Sequence, residues 1–344
     1  MMDLTTGWAH GQVGADKAYR LLRTTDGGTT WRDVSPSAYS LYDQRAFFLD
    51  SQSAWIVVVD ATQLWHTADG GQTWTSVEQT GGSHLWFNDS QHGWKMEATA
   101  WGLSFVQFDI DSFSTTQDGG QTWDEKNPPP DWGVAFLAFP DVQLGWGVRA
   151  GFAKVIEGFP NLGVPFFLET TTDGAQTWQS RAIPLPPGTE RVGREETYYL
   201  DAGNCDFDSP VYSSTKIWKL ALMCEEQGWV YTTLNRGQTW IISPLPAGQV
   251  IDVQFINPTL GWLFRKTKLD RSPGQLYQTT DGGQTWTLLG DTPWIDARLN
   301  FLDAQTGWAV ACLKAYCNSS HPPTLVKTTD GGQTWQTLQP GLAP

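Results

Sequence analysis

The chain has 344 residues, a net charge of −14 and no apolar run near the roughly 18 residues that a membrane-crossing helix needs. Its acidic balance argues against nucleic acid or an anionic membrane surface as a partner. A chain this long can bury a sizeable core, and its 35 glycines, 20 prolines and 20 tryptophans fit a turn-rich β protein.

Taken in order, the chain writes one phrase seven times. It reads TTDGGTTW at 24–31, TADGGQTW at 67–74, TQDGGQTW at 116–123, TTDGAQTW at 171–178 and TLNRGQTW at 233–240, then TTDGGQTW at 279–286 and 328–335. The turn residues Asp26, Asp69, Asp118, Asp173, Asn235, Asp281 and Asp330 are 43 to 62 residues apart, a period that indicates a propeller or solenoid. A second phrase precedes most copies: Phe48 to Trp55, Phe87 to Trp94, Phe139 to Trp146, Phe255 to Trp262 and Phe301 to Trp308 all span seven residues. Each reads as strand, tight turn, strand. Alternation such as Ile251-Asp252-Val253-Gln254-Phe255 is the two-residue period of a half-buried strand, and each repeat has room for about four strands. The prediction is an all-β, seven-bladed propeller of four-stranded antiparallel blades forming a single domain over 1–344.

The turn letters have physical reasons. Asp at the start of a tight turn accepts hydrogen bonds from backbone N–H groups ahead of it, and Gly supplies positive φ. Fourteen of the 20 tryptophans fall in this frame, seven closing the DGG phrase and seven at the Gly-Trp position, counting Trp55 and Trp218 where Gly is replaced. They are expected to pack between blades. Two turns depart from the pattern, with Ala175 for the second Gly and Asn235 for the Asp, and should survive with greater strain or weaker hydrogen bonding.

These DGGQTW phrases resemble BNR or Asp-box repeats, S/T-x-D-x-G-x-T-W, over nearly the whole chain. The resemblance implies boxes at strand-to-strand turns on a propeller rim, as in sialidases, xyloglucan hydrolases, sortilin-type receptors and the photosystem II assembly factor family. That last family is similar in blade number, length and repeat wording, but presents an arginine-rich patch. Here the twelve arginines are scattered in sequence, with only Arg191 and Arg194 paired on a long loop. Fold alone does not assign function.

Variation between copies points to a functional face. The Gly-Trp to DGG distance runs from 14 residues (Trp55 to Asp69) to 27 (Trp146 to Asp173), and the step from a box Trp to the next Phe from 13 to 29. In an antiparallel meander both variable connections open on one face, where binding loops on a rigid scaffold belong. The regions are 95–113, 147–168, 179–206 and 309–326, and their candidate binding residues are Trp101, Arg149, Phe152, Lys154, Arg191, Arg194, Glu195 and Tyr198. Trp132 and Trp294 join them from blade-to-blade connections. Exposed aromatics with Arg suit a protein or glycan interface; the plainer reading is local packing under long loops.

The predicted function is a non-enzymatic binding or assembly scaffold for a protein partner, monomeric, with no cofactor, no metal and no membrane insertion. The alternative is a glycan-binding or carbohydrate-active propeller of the sialidase or xyloglucanase kind. Against sialidase chemistry, no Arg-Ile-Pro segment opens the chain, and seven blades are counted where sialidases have six. Glu195, Glu196, Tyr198 and Tyr199 are neighbours in sequence, which on a strand does not place them in one site. Paired carboxylates for glycoside hydrolysis are set by tertiary structure and stay open at this stage.

Cys205 with Cys224, and Cys312 with Cys317, form local pairs suited to disulfides in an oxidising compartment; free thiols, or zinc held by Cys312, Cys317 and His321, are the other readings. An extracytoplasmic location follows, with the targeting segment absent from this sequence. Finally, aligning MMDLTTGW with FLDAQTGW sets Met1 where Phe301 stands, so the first strand of blade 1 is expected to be missing and the C-terminus too short to replace it. Either a longer precursor supplies that strand or blade 1 has three.

Overall fold

The computed structural model describes residues 1–13, 18–36, 44–58, 63–78, 84–100, 108–128, 134–150, 166–187, 206–207, 210–224, 227–266, 272–313, 317 and 322–342. All regular structure among them is β, in seven sheets. Blade 1 contains β1 (Gly7–Val13), β2 (Ala18–Thr24) and β3 (Thr30–Asp33), and blade 2 contains β4 (Gln44–Phe48), β5 (Ala54–Val58), β6 (Gln63–Thr67) and β7 (Thr75–Glu78). Blade 3 contains β8 (His84–Phe87), β9 (Gly93–Ala100), β10 (Phe108–Thr116) and β11 (Asp124–Lys126); blade 4 contains β12 (Val134–Ala138), β13 (Gly145–Ala150), β14 (Phe166–Thr171) and β15 (Gln179–Ala182). In blade 5 the first strand is split into β16 (Asp206–Phe207) and β17 (Tyr212–Ser213), both paired to β18 (Trp218–Met223), with β19 (Gly228–Thr233) and β20 (Ile241–Pro244) following. Blade 6 has β21 (Gln249–Phe255), β22 (Gly261–Lys266), β23 (Gly274–Thr279) and β24 (Thr287–Asp291). Blade 7 has β25 (Asp296–Phe301), β26 (Gly307–Cys312), β27 (Thr324–Thr328) and β28 (Gln336–Thr337), and β29 (Gly341–Leu342) ends the series.

Blades 2 to 7 are antiparallel meanders, the Phe phrase closing the first strand and the DGG phrase linking the third to the fourth. Blade 1 differs. It has no counterpart of the Phe-ending first strand among the described residues, and β1 is the edge of its sheet. Its fourth member is β29, which pairs parallel to β3 at the other edge (Gly341 with Thr30, Leu342 with Trp31). Among the described residues blade 1 thus has three strands of its own, β1 to β3. The C-terminal segment joins this sheet beside β3, at the edge opposite β1, and does not take the place of a first strand.

By packing, Met1–Ala98, Asp111–Lys126 and Trp294–Pro344 form one compact unit, and Thr99–Ile110 with Asn127–Pro293 a second. In the first unit Trp8 stacks on Phe48 at 5.4 Å and Trp55 on Phe87 at 3.8 Å, each joining one blade to the next. In the second, Trp146 stacks on Trp218 at 4.8 Å. All seven tryptophans of the Gly-Trp position are buried, whereas of the box tryptophans only Trp31 is, and Trp123, Trp286 and Trp335 are half-buried against Phe87, Phe255 and Phe301 of their own blades. Truncating one of the seven to Ala costs about 3–5 kcal/mol, the range for large core aromatics. The glycine beside each has its own reason: a Cβ on Gly93, Gly145, Gly261 or Gly307 would enter the ring of Phe87, Phe139, Phe255 or Phe301.

Candidate functional site

The DGG turns are saturated with internal hydrogen bonds. In blade 6 the Thr279 hydroxyl donates to Asp281 Oδ1 (2.8 Å) and accepts from Gly283 N–H (2.9 Å), while Thr285 gives its N–H to Oδ1 (2.9 Å) and its hydroxyl to Oδ2 (2.6 Å). The same set recurs around Asp26, Asp69, Asp118, Asp173 and Asp330. These donors, the threonine hydroxyl first, hold each carboxyl at about pKa 2, below its ordinary 3.8. Asn235 reproduces the geometry with its amide, Oδ1 accepting Thr239 N–H at 2.9 Å and Nδ2 donating to Thr239 Oγ1 at 2.9 Å. Such carboxylates are engaged as turn locks within their own blades.

A second layer of contacts ties turns to neighbouring blades. Trp308 Nε1–H donates to Gly27 O at 2.9 Å, Trp55 Nε1–H to Gly119 O at 2.9 Å, and the buried Lys219 Nζ to Gly282 O at 2.8 Å. Lys219 also donates to Thr232 Oγ1 (2.8 Å) and lies 4.7 Å over the Phe255 ring; burial lowers its pKa to about 8. Cations therefore stand at the first glycine of several turns, Arg23 at Gly70, Lys219 at Gly282 and Lys327 at Gly27.

The feature with capacity to bind is a cavity of about 460 Å³ where blades 1 and 7 meet in the first unit. Trp8, Trp31 and Trp308 line it, and each has its N–H already bonded to a backbone carbonyl, of Asp50, Gly28 and Gly27 respectively. The rings can therefore offer a ligand only their carbon surfaces. Leu22, Leu325 and the prolines 322, 323 and 340 add apolar wall, while His10, Arg298 and Asn300 supply a polar border. Asn300 Oδ1 accepts a hydrogen bond from the Met1 ammonium at 2.7 Å. Val310 and Leu342, both on the lining, are exposed. The wall suits apolar side chains, and the arrangement is one for binding. Among the described residues no group of three His, Cys, Asp or Glu could hold a metal ion.

Most of the loop residues selected from sequence lie outside the described residues: Trp101, Trp132, Phe152, Lys154, Arg191, Arg194, Glu195 and Tyr198. Arg149 is on β13, in register with Val134 and Phe167. Trp294, selected as a surface aromatic, is 2% exposed and packs edge-on to Trp335 at 4.9 Å, so it supports blade 7 from inside. Cys312 and Cys317 form a disulfide, which removes both from the zinc alternative. Cys224 is also disulfide-bonded, and its proposed partner Cys205 lies outside the described residues. The cavity was not selected from sequence because its walls come from both ends of the chain; the misfit between MMDLTTGW and FLDAQTGW was its one signal.

The sheets define a seven-bladed β-propeller. The chain is similar to YCF48 from Cyanidioschyzon merolae, with 16% identity and a TM-score of 0.53 over 96% of this chain and 92% of that one. It is also similar to a puromycin-hydrolyzing peptidase of Mycobacterium tuberculosis (11% identity, TM-score 0.53, 98% of this chain and 54% of that one) and to an ancestral GH74 enzyme (12%, 0.50, 98% and 55%). The chain spans about half the length of those last two proteins. At such identities the likeness is one of fold. No protein-family model and no curated protein matches the sequence.

Proposed function

We propose that the chain is a propeller scaffold that binds a protein partner and carries out no chemistry of its own. The observation that carries this reading is the indole-lined cavity with exposed Val310 and Leu342 at its mouth, an apolar surface of the kind protein interfaces cover. The repeat wording, which resembles that of the photosystem II assembly factor family, supports the assembly-scaffold form of the reading. The long-loop residues Trp101, Arg149, Arg191, Arg194 and Tyr198 are proposed as further contacts to the partner. The Cys312–Cys317 disulfide supports an oxidising, extracytoplasmic compartment. No helix among the described residues is long and apolar enough to cross a membrane.

The test is affinity purification of the protein from its source cells under mild crosslinking, with a glycan array and assays for xyloglucan and sialoside hydrolysis run in parallel. A stoichiometric protein complex with no sugar release is expected. Turnover of a glycan, or recovery of the propeller alone, would overturn the proposal.

A further inference from the structure

Seven copies of one phrase in a single chain make each copy a control for the others, and the copy in blade 5, TLNRGQTW, departs furthest. Leu234 stands where the other six have Thr, Ala or Gln, Asn235 where they have Asp, and Arg236 where they have Gly. Directly after the box tryptophan, Ile241 stands where they have Arg, Thr, Asp or Gln. Two of these changes expose apolar surface. Leu234 is 59% exposed, the most of any large apolar side chain among the described residues, and Ile241 is 52% exposed. Ile241 pairs with Thr232 across β19 and β20, and Leu234 follows Thr232 by two residues, so the two aliphatic side chains are diagonal neighbours where the strands meet the turn.

The other two changes reverse a charge. Every other box holds one Asp and no Lys or Arg, a formal charge of −1, whereas Asn235 and Arg236 give blade 5 a charge of +1 in a chain whose net charge is −14. Asn235 still accepts the Thr239 N–H at 2.9 Å, so the carboxylate is removed with the turn intact. Arg236 is held at φ of 57°, where the other copies place glycine, and strain of this kind gathers at binding sites. Local structure accounts for part of the arginine. Each other box is tied to the preceding turn of its blade by the N–H of its first glycine, as Gly282 is to Thr259 O at 2.8 Å; in blade 5 Arg236 Nε–H takes over, donating to Thr215 O at 3.2 Å. That tie uses Nε alone. Both Nη groups of this exposed side chain stay without a hydrogen bond or ion pair among the described residues, and the tie gives no reason for Leu234 or Ile241.

We infer that Leu234, Arg236 and Ile241 form a contact surface for a protein partner that presents a carboxylate beside an aliphatic side chain. The inference rests on the protein-binding reading and adds a surface with its own chemistry. Charge complementarity selects the occupant: the two Nη groups make the fork that holds a carboxylate through paired hydrogen bonds, and the carboxylate that would repel it is missing from this box only. Leu234 and Ile241 supply the apolar area beside that anchor.

The probe is an end-blocked hexapeptide of alternating Leu and Glu, titrated into the full protein, with one counterpart carrying Lys for Glu and another Ser for Leu. The Ile241 methyl and Arg236 Nε–H resonances should shift and saturate with the Leu/Glu peptide, and either counterpart should bind at least about fivefold more weakly. Three variants return blade 5 to the wording of its neighbours: Arg236→Gly, Leu234→Thr and Ile241→Thr. Each should fold, since other boxes carry those residues at these places, and each should weaken the Leu/Glu peptide at least about fivefold. If Arg236→Gly does not fold, Ile241→Thr with the Lys-substituted peptide tests the same two contacts. Equal binding of the Lys-substituted peptide, equal binding by the variants, or no shift at millimolar peptide overturns the inference. So do shifts that appear without peptide as protein concentration rises, which assign the surface to a second copy of this chain. A cellular complex whose yield is unchanged by all three variants leaves partner binding standing and removes this surface; absence of any complex removes both.

Discussion

Gly71 and Ala175 occupy the same place, the second residue after the turn Asp, and exchanging their side chains should have opposite effects on stability. Gly71 has φ of 82°, and a Cβ there would lie 2.7 Å from Val34 Cβ and 3.0 Å from Val34 Cγ2. Val34 Cβ is tied to its backbone and packed with Trp8, Leu21 and Ile56, so it cannot swing aside. Gly71→Ala therefore incurs about 1–2 kcal/mol for a side chain at left-handed φ and about 1–3 kcal/mol for overpacking, offset by about 0.4–1 kcal/mol from a stiffer unfolded chain. The net is a loss of about 2–4 kcal/mol. Ala175 holds φ of 69° and is fully buried, so Ala175→Gly relieves the first cost, gives back the unfolded-state advantage and should stabilise by roughly 0.5–1 kcal/mol. Urea unfolding followed by tryptophan fluorescence should move the midpoint down for Gly71→Ala and up for Ala175→Gly at unchanged slope. A neutral Gly71→Ala, or shifts of the same sign, would refute the account of the second glycine as both conformational and steric.

Acid should act on the turns. Asp26, Asp69, Asp118, Asp173, Asp281 and Asp330 have folded pKa values of about 2 against an ordinary 3.8, so the unfolded chain takes up protons first; their contribution is complete above about pH 4 and is lost as pH falls toward 2. Near-UV circular dichroism against pH should show the loss in that window, and Asp281→Asn, copying the Asn235 turn, should reduce the proton uptake of unfolding by about one carboxylate's share. Lys219 acts at the alkaline end. With its folded pKa near 8 and an unfolded value of 10.5, the unfolded chain holds the extra proton between them, so stability should rise across that interval; urea midpoints at pH 7.5 and 10 should show a rise that Lys219→Met lacks. Gly307→Ala must displace a Phe301 ring fixed in the core and should cost at least about 2 kcal/mol, whereas Gly7→Ala meets the flexible thioether of Met1 first and the Met1 Cα at 3.2 Å, and should cost less than Gly307→Ala, both read from thermal midpoints.

The blades were legible because their determinants are local. Thr279, Asp281, Gly283 and Thr285 specify a turn through bonds no more than four residues apart, and a seven-residue step places Phe255 beside Trp262, so repeats announce themselves in the string. The turn substitution at Arg236 was less visible. It stands where other copies have their first glycine and holds φ of 57°, a strain masked by the more obvious loss of Asp at 235. The cavity was not legible, since Trp8 and Trp308 are 300 residues apart and nothing local marks them as neighbours. Trp294 misled for a related reason: a tryptophan in a connection is surface or core according to what folds over it, and here Trp335 does.

The first glycine of each turn answers two requirements that sequence shows as one. Positive φ is the local requirement. The other comes from the neighbouring blade, whose Arg23, Lys219 or Lys327 brings its charged end to the space a Cβ would take at Gly70, Gly282 or Gly27. The carbonyl of that glycine then becomes an acceptor for the neighbour, as Gly282 O is for Lys219 and Gly27 O for Trp308. A turn that is self-sufficient within its blade is thus also the docking point for the next, which is why one short phrase can specify both a blade and its place beside another.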